Sequence, residues 1–150
     1  TPAYTEGYAV YAQFEAMKYL DGVDQDYLKA YMENELISYY AIILADIGIH
    51  YDGWSTEEFG EFMSNAGFMF ETDNAVKAQY LQLQANPCAF QPYYVGYYEI
   101  SALKSFAEEK LGNSFDSKSF NEAILKSGNA PFSVVEKNVD AYIAAQRPAA

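Results

Sequence analysis

One cysteine, one histidine and one tryptophan serve a chain of 150 residues. Cys88 alone excludes an intrachain disulfide and cannot by itself build a thiolate metal site. His50 alone cannot close a zinc site without carboxylates or ligands from elsewhere. Basic residues are also few: nine Lys and Arg against 21 Asp and Glu leave a formal net charge of -12. That is the wrong sign for gripping a nucleic-acid backbone or an anionic membrane surface. No apolar run approaches the ~20 residues a membrane-spanning helix needs. Residues 42–45, flanked by Tyr and Asp, read as the buried middle of a helix. Period-two alternation, internal repeats, low-complexity linkers, a glycine-rich phosphate loop and a calcium-spaced acidic loop are all missing.

What is present is aromatic and helical. Fifteen Tyr and ten Phe supply far more ring surface than a domain of this size usually carries, and many tyrosine hydroxyls will need partners. The length suits one domain with a real core. Apolar spacing and turn residues predict seven helices, near 4–20, 24–47, 56–66, 73–85, 88–111, 117–127 and 133–145. The expected architecture is therefore a single all-α domain over residues 1–150. Ser55 with Glu58 and Ser133 with Glu136 have capping-box spacing. Asp24, Asp73 and Asp116 are candidate N-caps, and Gly112 and Gly128 are natural stops. Pro87 and Pro92 imply that the fifth helix either starts late or kinks at Pro92.

Few residues carry obvious chemistry. In TEGYAVYAQF, residues 5–14, Glu6 leads a stretch otherwise small, aromatic and aliphatic. The bland reading makes Thr5 the N-cap and Glu6 a first-turn acid facing the positive end of the helix dipole. His50, within ADIGIHYDGW, reads as a dipole partner or packing residue near a helix C-terminus. A Ser-His-Asp arrangement has no local motif behind it. The pairs Glu57-Glu58 and Glu108-Glu109 read as solvated faces. The tyrosine pairs at 39–40, 93–94 and 97–98 read as core or interface.

Taken together, EGYAVYAQ at 6–13, ADIGIHYDGWSTEE at 45–58, PCAFQPYYVG at 87–96 and LGNSFDSKSFNEAILKSGNAPFSVVE at 111–136 resemble the C-terminal part of the bacterial domain of unknown function 885 family. That family is similar to helical zincin metallopeptidases. The resemblance implies a metal helix with HExxH upstream and a third zinc ligand at Glu6. On the substrate side it implies Tyr93 as an oxyanion donor, together with His50. Two histidines one turn apart plus a carboxylate leave one zinc position open for water.

HExxH does not occur in these 150 residues, so the resemblance implies zinc in a full-length protein only, and no zinc in this chain by itself. The start at Thr1 rather than Met leads to the expectation of a removed leader or a larger upstream part, in a secreted or cell-envelope bacterial protein. Tyr39 and Ile42 stand where the family has arginines, and only Gln79, Gln82 and Gln84 are near where it has another. Asn121 stands where a His is typical, and Gln13 replaces an acid. Two functions remain open: the C-terminal portion of a zinc-dependent peptidase, or a degenerate helical module that binds peptides or protein partners. The aromatic surface implies association with the missing N-terminal segment or with a second copy.

Overall fold

In a computed structural model that describes residues 1–146, the chain is all-α. Seven α-helices run in order: α1 (Pro2–Met17), α2 (Gln25–Ile47), α3 (Thr56–Asn65), α4 (Asp73–Ala85), α5 (Gln91–Leu111), α6 (Ser117–Lys126) and α7 (Phe132–Gln146). A π-helical turn, Gly48–Asp52, follows α2, and a 3-10 turn, Gly112–Ser114, follows α5. Among the described residues there is no strand.

The caps explain most helix ends. Asp24 accepts from the amides of Asp26 and Tyr27, Asp116 accepts from Ser119, and Ser55 and Glu58 close a reciprocal capping box. Gly112 and Gly128 take positive φ values of 51° and 61°, which glycine adopts without the Cβ clash that other residues meet. Three expectations need correction, and of the two alternatives at Pro92 the late start holds. Thr72 rather than Asp73 caps α4. Ser133 lies inside α7, which starts at Phe132, so it forms no capping box. Pro92 sits in the first turn of α5, where a missing N–H costs nothing, so the helix starts late and is not kinked. Finally, α1 starts at Pro2, which places Thr5 within the helix and Glu6 beyond the first turn.

The chain divides into two compact units. The first joins α1 to residues 92–146. Its core holds Tyr4, Tyr11, Ile100, Phe120, Val135 and Val139, most of them fully buried. The second, residues 18–91, packs Ala41, Ala45, Ile49, Phe59, Met63 and Leu83 from α2, α3 and α4. Within residues 42–45 only Ala45 is fully buried, and Leu44 is half exposed, so the expected buried middle of α2 is buried along one face alone.

Candidate functional site

In the second unit, the segment ADIGIHYDGW folds into a turn built around close contacts. The π turn ends at Gly53, with φ of 76°, and the chain doubles back so that the Trp54 amide donates to the Gly48 carbonyl at 2.9 Å. A Cβ on Gly48 would lie 2.3 Å from the Trp54 indole, so only glycine lets the ring sit there. Tyr80 from α4 donates to the Trp54 carbonyl at 2.8 Å. π-helical turns within α-helical segments frequently mark functional positions.

Asp46, only 3% exposed, is the hub of this turn. One carboxylate oxygen accepts from the Cys88 amide and from the Gln91 side chain, each at 2.8 Å. The other lies 2.7 Å from His50 Nδ1. Asp46 thereby ties ADIGIH to PCAFQ, two segments separated by some 40 positions in the chain. Cys88 holds φ of 62°, a left-handed conformation costing a non-glycine residue about 1–2 kcal/mol. The donated amide bond stabilises it.

His50 uses both ring nitrogens. Nδ1–H donates to the Asp46 carbonyl at 3.0 Å and faces its carboxylate, and Nε2–H donates to the Gln84 carbonyl at 3.2 Å. Carbonyls only accept, so the two contacts are made together when both nitrogens carry protons. These backbone bonds, with the Asp46 charge behind them, raise the His50 pKa. The imidazole ring bridges the end of α2 and the end of α4.

In the first unit, α1 and α5 meet glycine to glycine. A Cβ on Gly7 would lie 2.2 Å from the Gly96 carbonyl carbon, and one on Gly96 would lie 1.8 Å from the Ala3 oxygen. Glu6 adjoins Gly7, and Tyr93 lies one turn before Gly96, so both stand on the turns that meet at this crossing. Glu6 is half-buried and makes no hydrogen bond or ion pair among the described residues. Its bland explanation as a first-turn acid is gone. Asn121 accepts from the Tyr8 hydroxyl at 3.2 Å and donates to the Ser117 carbonyl at 2.8 Å. Nearby, Lys104 pairs with Glu15 at 2.7 Å, and burial pushes the Tyr11 phenol well up.

Glu6 and Tyr93 thus share one unit, and His50 belongs to the other. Among the described residues no three His, Cys, Asp or Glu side chains converge as a metal-holding group. No helix there is long and apolar enough to cross a membrane. An open cleft of about 580 Å³ between α3 and α4, lined by Phe68, Phe70 and Val76, contains none of the predicted residues. Asp46 is the residue that sequence reasoning missed. Its signal was an acid four positions before the lone histidine, at the end of ten uncharged residues.

These turns coincide with a recognised pattern. The model of the bacterial protein family of unknown function, domain of unknown function 885, matches residues 1–139. The chain belongs to that family. Among solved structures, the crystal structure of the putative lipoprotein from Colwellia psychrerythraea is similar over 96% of this chain, with a TM-score of 0.78 and 26% identity. The match spans 24% of that protein, so this domain of unknown function 885 chain corresponds to about a quarter of its length. No curated protein matches the chain.

Proposed function

We propose that this chain is the C-terminal portion of a zinc-dependent peptidase, with Glu6 as a metal donor and Tyr93 as a substrate-side hydrogen-bond donor. The observation that carries this reading is the half-buried Glu6 carboxylate, which has no partner among the described residues. Glu6 is chemically suited to zinc as one donor, and the remaining donors belong to an HExxH helix outside this chain. When bound, zinc supplies a Lewis acid and an activated water. The Tyr93 phenol, on the first turn of α5, is suited to donate to the oxyanion that develops on a cleaved peptide. His50, with both nitrogens engaged, serves as a fixed positive charge that holds its loop rather than as a base. The likeness to a protein described as a lipoprotein supports a cell-envelope or secreted setting.

The test uses the full-length protein carrying the upstream HExxH segment. Metal analysis is expected to find one zinc, which Glu6→Gln loosens by more than about tenfold. Tyr93→Phe is expected to keep the metal and lower kcat on the order of 100-fold. Full zinc occupancy and unchanged hydrolysis in Glu6→Gln would refute the ligand role.

A second reading, a non-catalytic module binding peptides or partners, is favoured by Asn121. Its amide is closed off by Tyr8 and Ser117 where the family resemblance implies a histidine. A metal-free, inactive full-length wild type would select it.

A further inference from the structure

α2 carries two apolar faces. One is built into the second unit through Ala41, Ala45 and Ile42. Adjoining that face stand Ile37, Tyr40, Leu44 and Ile47, which are 54%, 41%, 51% and 44% exposed, and Tyr51 in the π turn is 87% exposed. Their spacing of three, four, three and four residues is the 3.5-residue period with which one helix presents a seam to another. No charge interrupts residues 36–45. A helix that is apolar all round is a helix buried in a larger protein, and a stripe of this kind standing in water marks an interaction surface.

We infer that the Ile37–Tyr40–Leu44–Ile47 stripe is the seat of an amphipathic helix from the remaining part of a family-length polypeptide. Two observations choose this occupant. The similar solved protein contains this fold as about a quarter of its chain, which leaves roughly three quarters of a polypeptide to supply the covering helix. A second copy is opposed by the net charge of -12 that each copy would bring, and an anionic membrane by the same field. The inference rests on the proposed reading only in that the chain is one portion of a longer protein. It does not depend on zinc or on peptidase chemistry.

The test is thiol labelling of the full-length protein in a Cys88→Ser background carrying Leu44→Cys. The seated helix is expected to slow labelling on the order of 100-fold relative to the same protein in denaturant. Labelling within about threefold of the denatured rate would show a bare face and overturn the inference. Protection that disappears on dilution, together with a dimer in sedimentation velocity, would also overturn it, in favour of a second copy. A natural polypeptide consisting of these residues alone would do the same. Should Leu44→Cys fail to fold, hydroxyl-radical footprinting of the wild type reads the same face: unmodified Tyr40 and Leu44 support the inference, and modified ones overturn it. Zinc content and hydrolysis, measured separately, report on the peptidase reading, so the two can fail independently.

Discussion

At Asp46, the Cys88 amide and the Gln91 side chain meet one buried carboxylate, with the His50 ring beside it, and removing the carboxylate strands both donors. Asp46→Ala is therefore expected to destabilise the chain by about 2–4 kcal/mol in denaturant titration, the scale for breaking a buried charged network from one side. Cys88 offers the opposite outcome. Its φ of 62° suits glycine, so Cys88→Gly should raise stability by roughly 0.5–1 kcal/mol, after the extra chain entropy of glycine offsets part of the relieved strain. A lower denaturation midpoint for Cys88→Gly would show that the thiol side chain stabilises the loop by more than the strain costs. His50 makes the second unit sensitive to pH. Its folded-state pKa is raised by the carbonyls of Asp46 and Gln84 and by the Asp46 charge. The stability it contributes is thus complete below the unfolded value near 6.5 and is lost as pH rises through the higher folded value. The Tm gap between wild type and His50→Phe should narrow as pH rises above the ordinary imidazole value of about 6.5, and a constant gap would contradict the clasp.

Elements were the most legible level of the sequence, because helix caps and apolar spacing act over a few residues. Six of the seven helices begin within one or two residues of the segments that Asp24, Ser55, Asp73, Asp116 and their neighbours suggest, and α5 begins three later, at Gln91. The misreadings are local as well: Thr72 competes successfully with Asp73 for the cap, and Pro131 lets α7 begin one residue ahead of Ser133. The α1–α5 contact was not legible, since nothing local distinguishes Gly7 or Gly96 from a helix-weakening glycine. In the fold both are compulsory. Gly7→Ala would gain about 1 kcal/mol of helix propensity yet push a methyl group into the Gly96 backbone, and a net loss of about 2 kcal/mol is expected. Unchanged thermal unfolding of Gly7→Ala would mean that the two helices separate freely.

For the whole molecule, the acid at position 6 raised the right question, and α1 starting at Pro2 removed its simplest answer. The Asp46 network stayed hidden because it depends on bringing position 88 to position 46, which no periodicity encodes. Wild-type metal content and the Glu6→Gln variant bear on the same scale, as they ask whether Glu6 is a metal donor at all. The division into units has a consequence for how the protein is made. Residues 18–91 form a continuous stretch, whereas the other unit needs its first 17 residues and everything from position 92 onward. Chains are synthesised from the N-terminus and fold unit by unit as segments emerge. The α2–α4 unit is therefore complete while α1, synthesised before it, still waits for the helices it packs with. Proteolysis of stalled nascent chains should find residues 18–91 protected before α1. Through that interval the Glu6 helix is held in reserve, and it docks only after a stretch made later than itself has already folded.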